Sequence, residues 1–476
     1  MGALFRHEFH PSILREYDIR GVVGKTLFED DARALGVVFA SELSEDGPRR
    51  IFVGYDGRLS SPALEQALTE GLASQGASVT RLGCCSTPAL YHASHRARAT
   101  GAIMVTGSHN PLGYNGFKLL RDNRPYYGSE LQALAMRLRN GVPEKGQRGS
   151  IERADPLADY VAALRSGLHS GGRSLVVVWD NANSSAGPVL EALVSYLPGT
   201  HIVLNGEVDG LFPAHHPDPT LPENMVQLRE AVLRYGADLG LAFDGDADRL
   251  GVLDETGAII PADMLSLLLS EAVLQERPGA VILGDVKMSQ VVFDGVRTLG
   301  GAPAMCPSGH SAVKNAMRET GAAFAGEMSG HFFFADRWPG FDDGLYAALR
   351  VMEVVAAGSR PLSSLLNALP LVAATPELRF DCPDDRKFGV IEAVIKRCQE
   401  ERLEMTLIDG VRVREAEGWW LLRASNTQPA LVARAEGKNA ACRDMLLARI
   451  DSMLAHQGIQ RPKETTHGVF PADLNS

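Results

Sequence analysis

Four short polar segments carry the residues with the most chemical capacity. The first is Thr106-Gly107-Ser108-His109-Asn110-Pro111, which follows the apolar run Ala102-Ile103-Met104-Val105. That run has the length and flanks of a buried strand. Gly107 admits a tight turn, and Pro111 keeps Asn110 out of the helical region. Ser108 is therefore expected on a sharp bend at a strand end, where its hydroxyl can carry a covalent group. Taken alone, a Ser in such a turn is an ordinary turn residue. The second segment is Asp244-Gly245-Asp246-Ala247-Asp248-Arg249, after the apolar run 239–243. In an extended segment the three carboxylates share one side, and Gly245 and Ala247 leave room for close approach. Converging carboxylates repel one another unless a cation joins them, and oxygen-only ligands select Mg²⁺ or Ca²⁺ over zinc. The spacing is not that of an EF-hand. A solvated acidic turn is the bland alternative, and the apolar lead-in argues against it.

The third segment holds Glu327, Ser329 and His331, which would share one face of an extended stretch and offer donors and acceptors for sugar hydroxyls. An ordinary polar strand edge explains it equally well. The fourth holds Arg423, Ser425, Asn426 and Thr427. A guanidinium beside hydroxyl and amide donors suits a phosphate, and a turn after the strand 419–422 is the plain alternative. Lys118 lies ten residues after Ser108. A chain that hairpins back after the first loop returns its ammonium to Ser108. Spacing alone assigns nothing to Arg20. Gly24-Lys25-Thr26 lacks the earlier glycine of a P-loop, since Ile19 stands there, and His215-His216 lies in a Pro-rich stretch that reads as a loop.

Elements must hold these segments. Apolar runs at 51–54, 175–179 and 280–283 read as strands, followed by helical patterns at 62–76, 186–197 and 289–299. This alternation predicts α/β layers with buried sheets. Polar, Pro- and Gly-containing 141–156 reads as a linker, 254–257 as a turn before a long helix from Ala262, and 369–376 as a break before a change of style. The last hundred residues predict an α+β unit with a closing helix at 439–454. The tail is expected to be ill-ordered or peripheral. Sequence similarity between the α/β segments is too weak to predict a repeat.

At 476 residues the chain exceeds one ordinary core, and about three or four domains are expected. A net charge of −11 argues against nucleic acid and anionic membranes as partners, although a local basic cleft still accommodates an anionic small molecule. Six scattered Cys show no zinc or disulfide spacing, which points to the reducing cytoplasm. No stretch has signal-peptide or membrane-spanning character.

In order, YDIRG at 17–21, DGRLSSP at 56–62, TGSHNP at 106–111, FPAHHPDP at 212–219, DGDADR at 244–249, SGHS at 308–311, GEMSGH at 326–331 and RASNTQP at 423–429 closely resemble the α-D-phosphohexomutase superfamily. GEMSGH with RASNTQP resembles its bacterial phosphomannomutase/phosphoglucomutase branch. Tyr55, where relatives often have Arg, and Leu221, where Lys is frequent, depart from the pattern.

The resemblance implies three α/β domains of related topology plus a C-terminal α+β domain around a central cleft, here 1–153, 154–257, 258–370 and 371–457, with a tail at 458–476. It implies reversible phosphoryl transfer between the 1- and 6-positions of mannose or glucose phosphates, through a phosphoserine at Ser108 and a bound hexose 1,6-bisphosphate, which also serves as activator. Mg²⁺ would be held by Asp244, Asp246, Asp248 and the phosphorylated Ser108. A phosphoserine adds about −1.5 to −2 to three Asp charges, so further cations are expected from Arg20, Lys118 and Arg249. For the general base, Lys118 with a lowered pKa, His109, His310 and His331 all stand open. Lys287 and His310 match substrate-contacting positions. Glu327 and Ser329 would grip sugar hydroxyls, Arg423, Ser425, Asn426 and Thr427 the unreacting phosphate, and Tyr17 would line the pocket. A metal-dependent phosphatase or sugar kinase and an inactive sugar-phosphate binder are the competing classes. The first lacks a P-loop in its kinase form, and the second is opposed by the intact Ser108 and Asp triplet. A monomer is compatible with all of this.

Overall fold

The computed structural model describes residues 3–43, 47, 49–169, 171–367, 369–425 and 428–461. Its first sheet contains, in spatial order, Ile19–Val22, Tyr114–Arg121, Gly101–Val105, Arg50–Tyr55, Ser78–Cys84 and Ile151–Arg153, with Arg124–Pro125 paired to one side. The strands Ser78–Cys84, Arg50–Tyr55 and Gly101–Val105 run parallel, and Tyr114–Arg121 returns antiparallel. Their Val/Ile/Ala-rich segments are buried on both faces, as parallel strands covered by helices require.

The second and third sheets repeat this order. In the second, Gly199–Leu204, Leu175–Asp180 and Leu239–Phe243 are parallel and Leu250–Asp254 antiparallel. In the third, Ala302–Cys306, Val281–Asp285 and Phe324–Gly326 are parallel and Phe332–Phe334 antiparallel. The repeat that sequence similarity did not reveal is thus explicit in topology. In each sheet the third parallel strand and its antiparallel neighbour form a hairpin, and the turns of the three hairpins carry Ser108, the Asp triplet and Glu327–His331 respectively.

The fourth sheet is antiparallel throughout, built on Ala430–Gly437, Gly418–Ala424, Val411–Glu415 and Glu404–Thr406. The helices Asp384–Glu400 and Ala440–Ala455 contribute buried side chains to its core. One apolar core runs unbroken through Tyr91, Trp179, Phe243, Phe324 and Trp338, joining the first three units. The fourth has a core of its own around Phe380, Trp420 and Leu446.

Two expectations need correction. Within the supposed linker, Ile151–Arg153 adds a parallel edge strand to the first sheet, and Val142–Pro143 pairs with Leu4–Phe5. An exposed edge strand needs backbone pairing but no apolar alternation, so its polar sequence hid it. The start of the tail is also not peripheral. Ile459 is buried in the fourth core, and residues 462–476 lie outside the described residues.

Candidate active site

The Ser108 turn is built from beneath. Asp56 Oδ2 accepts from the Thr106 hydroxyl and the Gly107 amide, both at 2.8 Å. The fully buried Arg58 donates to the carbonyls of Ser108 (2.8 Å), Asn110 (2.5 Å), Pro111 (2.8 Å) and Tyr114 (3.1 Å). The left-handed residue is Ser108 itself, at φ 48°, and not Gly107. Gly107 is required for space, because a Cβ there would stand 2.2 Å from Arg58 Nε. Arg20 donates to the Thr106 carbonyl and pairs with Asp18 at 2.8 Å.

Ser108 Oγ donates to Asp244 Oδ2 at 2.6 Å and lies 3.2 Å from His109 Nδ1. One ligand atom each from Asp244, Asp246 and Asp248 falls within a 4.8 Å cluster, and all three side chains are buried. They do not sit on an extended segment. The chain must reverse between antiparallel strands, and it does so through a turn in which Ala247 has φ 59° and its amide donates to the Asp244 carbonyl at 3.1 Å. Gly245 allows close approach, as expected: its Cβ would lie 2.4 Å from the Ser108 carbonyl. Thr87 Oγ1 donates to Asp246 Oδ2 at 2.5 Å, and the Leu250 amide to the Gly330 carbonyl at 2.9 Å, so the first and third units both hold this loop.

The hairpin from Tyr114 to Arg121 does bring Lys118 back. Its ammonium pairs with Asp246 at 2.7 Å and with Asp248. Burial disfavours that charge, but the two carboxylates outweigh it and hold Lys118 above its ordinary pKa. The lowered value expected of a Lys base is therefore not found. Burial and the neighbouring Asp248 and Asp246 push Asp244 well above the usual carboxylate range. Asp246 Oδ1 and Asp248 Oδ1 are buried without a hydrogen-bond partner among the described residues. Crowded carboxylates with orphaned oxygens fit a hard divalent cation.

Arg249 Nη2 stands 3.4 Å from His109 Nε2, and Nη1 is 3.9 Å from Asp218. Burial, reinforced by Arg249 and Arg20, pushes His109 well below its ordinary pKa and leaves it a neutral acceptor beside Ser108. His331 is the opposite. Burial opposes its charge, but Asp248 and Glu327, each at 3.3 Å, hold it up at about 9. The Glu327–His331 stretch is again a hairpin turn and not an extended face, closed by Glu327 N to His331 O at 3.0 Å. Ser329 Oγ lies 2.8 Å from His331 Nδ1.

A second pole gathers the remaining residues. Lys287 pairs with Glu377 at 3.2 Å; burial disfavours its charge, but Glu377 and Asp285 outweigh it and leave it with a raised pKa. Arg423, the penultimate residue of its strand, donates to Asp409 at 2.9 Å. Asp409 also accepts from the Ser308 amide at 3.2 Å, and Tyr17 OH donates to the Ser308 carbonyl. Glu327 accepts from the Gly309 amide at 2.6 Å and so links the two poles. His310 opens the next helix and sits 3.4 Å from Asp342. Ser425 is buried and accepts from the Gln428 amide at 3.2 Å, whereas Asn426 and Thr427 lie outside the described residues. Sequence reasoning missed Asp56, Arg58, Thr87, Asp218 and Asp342, which act on backbone or on other side chains. The DGRLSSP segment was visible, but nothing in it announced which loop it supports.

Family models for phosphoglucomutase/phosphomannomutase match four times in order: α/β/α domain I over 11–140, domain II over 158–257, domain III over 261–372 and the C-terminal domain over 377–452. The phosphomannomutase/phosphoglucomutase of Pseudomonas aeruginosa is 43% identical over 425 residues, 89% of this chain and 91% of that one. The phosphoglucomutase of Neisseria gonorrhoeae is 40% identical over 445 residues, 93% of this chain and 96% of that one. A crystal structure of a phosphoglucomutase/phosphomannomutase family protein from Burkholderia thailandensis superposes with a TM-score of 0.88 at 40% identity, covering 94% of this chain and 98% of that one. By its four domains and its full-length relatives, the chain belongs to the phosphoglucomutase/phosphomannomutase family.

Proposed function

We propose that this enzyme interconverts hexose 1- and 6-phosphates through a phosphoryl group carried on Ser108. The observation that carries this reading is the 2.6 Å hydrogen bond from Ser108 Oγ to the crowded Asp244, at the lip of a three-carboxylate cluster. Phosphoryl transfer depends chiefly on positioning and charge stabilisation, and Arg20, Lys118 and Arg249 supply the positive charge around that lip. Asp244, Asp246 and Asp248 would hold Mg²⁺, which when bound polarises a phosphoryl oxygen as a Lewis acid.

In the forward half-reaction the oxygen of a sugar hydroxyl attacks the Ser108 phosphoryl group, the hydroxyl proton leaves to a nearby base, and the P–O bond to Ser108 breaks as Ser108 Oγ takes up a proton and returns to the hydroxyl form. Neutral His109 is placed to hold a proton at the Ser108 side. Charged His331, between Asp248 and Glu327, is placed to return one in the opposite direction. Glu327 and Ser329 orient the sugar, while Lys287, Arg423 and Ser425 hold the phosphate that is not reacting, with Tyr17 and His310 closing the pocket. The hexose 1,6-bisphosphate then turns end for end. A free 1,6-bisphosphate would act as activator by restoring the phosphate to Ser108.

Contacts at Glu327 and Ser329 that avoid the sugar 2-hydroxyl would admit both glucose and mannose phosphates. Intact mass should reveal one phosphoryl group on the wild type and none on Ser108→Ala. With glucose 1-phosphate and mannose 1-phosphate as substrates, the variant should lose at least about 10³-fold in turnover, the scale of losing a nucleophile. Wild-type turnover of Ser108→Ala would overturn the phosphoserine reading, and wild-type activity on one sugar alone would overturn the dual specificity.

A further inference from the structure

In each of the first three units, the strand with parallel neighbours on both sides ends at a fully buried Asp. Asp56 directly follows Arg50–Tyr55, Asp180 closes Leu175–Asp180, and Asp285 closes Val281–Asp285. A crevice opens at this point of a doubly wound sheet, where the strand order reverses. Asp56 holds Thr106 and Gly107 in the Ser108 loop. Asp285 Oδ2 accepts from Ser308 Oγ at 2.7 Å and so fixes the loop that leads into His310. Two of the three carboxylates thus brace a loop of the catalytic face. The third, Asp180, accepts from the Ala182 amide at 3.0 Å, from Asn205 Nδ2 at 2.8 Å and from His215 Nε2 at 2.9 Å.

Both ring nitrogens of His215 face acceptors. Nδ1 lies 3.0 Å from the His216 carbonyl, and only an imidazolium can donate on both sides. Burial opposes that charge, but Asp180 and the carbonyl outweigh it and hold His215 above its ordinary pKa. The His216 carbonyl also accepts from the Asp218 amide at 2.9 Å. The loop so pinned reaches three parts of the site. Asp218 Oδ1 stands 3.9 Å from Arg249 Nη1, and the Arg58 guanidinium lies 5.4 Å from the centre of the Phe212 ring. Gly245, inside the Asp triplet, abuts Pro217, whose Cγ would be 3.6 Å from a Cβ there.

We propose that His215, braced by Asp180, is a positioning residue for phosphoryl transfer: it pins the 212–219 loop and, through Asp218, holds Arg249 beside His109 and Ser108. This rests on the phosphoserine reading above.

A double-mutant cycle on the full-length enzyme tests it, with glucose 1-phosphate as substrate and saturating glucose 1,6-bisphosphate, so that phosphorylation of Ser108 is not limiting. His215→Ala should lower kcat at least about tenfold and leave KM within about twofold, because a small misplacement near the chemistry costs up to about 10²-fold in rate. A loop that merely stabilises the fold would lower the thermal midpoint and leave kcat per folded molecule unchanged. Adding Asp218→Asn to His215→Ala should cost no more than the larger single loss, since both act on Arg249 through one contact. If circular dichroism shows His215→Ala unfolded, His215→Gln takes its place, keeping a donor for Asp180 but releasing the His216 carbonyl. A folded variant with wild-type kcat, a rise in KM alone, or losses that multiply in the double variant would overturn the proposal. Failure of the phosphoserine reading shows separately, as a wild-type intact mass without the phosphoryl group.

Discussion

Arg58 shows how much of this site is held by a fully buried residue whose guanidinium is spent on backbone carbonyls. One guanidinium gathers four carbonyls of the Ser108 loop, and Asp56 holds that loop from the other side. A non-glycine residue at φ 48° persists only when its surroundings over-determine it, and these contacts do so. Arg58→Met removes one partner of a buried ion pair and leaves Asp56 uncompensated. A loss of about 3–5 kcal/mol is expected, read as a lowered denaturant midpoint, together with loss of phosphoserine in the intact mass. Ser108 and the Asp triplet were legible in the sequence because their types and spacing name a chemistry. Arg58 was not, since an Arg that binds backbone leaves no pattern of its own. Gly107 was read only as admitting a tight turn: a glycine can signal either a backbone angle or a lack of room, and only the position of Arg58 separates the two.

The recurring element is a hairpin between a parallel strand and its antiparallel return. It was half legible. The apolar runs before Ser108 and Asp244 marked strand ends correctly. The i, i+2, i+4 spacing suggested extended faces, whereas a chain that must return antiparallel needs turns there. The repeat was implied by the family resemblance but not visible in the residues themselves, because it resides in strand order, which many sequences satisfy. A separate element-level consequence concerns Asp343, the N-cap of the helix Gly344–Ala357, which accepts from the Tyr346 amide at 2.9 Å and from Tyr160 OH at 2.8 Å. Burial pushes its carboxyl up to about 7 from an ordinary 3.8. The folded state therefore binds the proton more tightly than the unfolded one. Its contribution to stability is full below about pH 4 and is lost as pH rises through 7. The thermal midpoint of Asp343→Asn, which keeps a capping side chain, should fall less steeply than that of the wild type between pH 4 and 7. Parallel slopes would remove Asp343 from the account.

At the scale of the whole molecule, one apolar core spans the first three units beside a further core inside the first, while the fourth is built on a core that joins none of the others. Polar contacts carry much of their joint. Arg412 lies over Trp419 at 3.6 Å and donates to the Val286 and Met288 carbonyls at 2.7 and 2.8 Å, and Arg434 pairs with Asp263 at 3.0 Å. The fourth unit brings Arg423 to the second pole, whereas Ser108 and the triplet belong to the fused body. Arg412→Ala should therefore raise KM for the sugar phosphate about tenfold, the equivalent of one charge-assisted hydrogen bond, with a smaller change in kcat. A change confined to kcat would contradict this division of labour. The split into four units could be anticipated from length and composition, but which cores fuse could not, because fusion depends on side chains that meet only across units.

The separate core of the fourth unit also bears on how such chains diversify. A unit that completes its own interior and meets its neighbour through a few guanidinium groups and the small apolar cluster of Val286, Trp419 and Leu421 can be exchanged by recombination with little rebuilding of the rest. Variation in what the second pole accepts is then open to lineages by swapping a module, while the three hairpins, whose strands all contribute to the shared interior, change only one residue at a time.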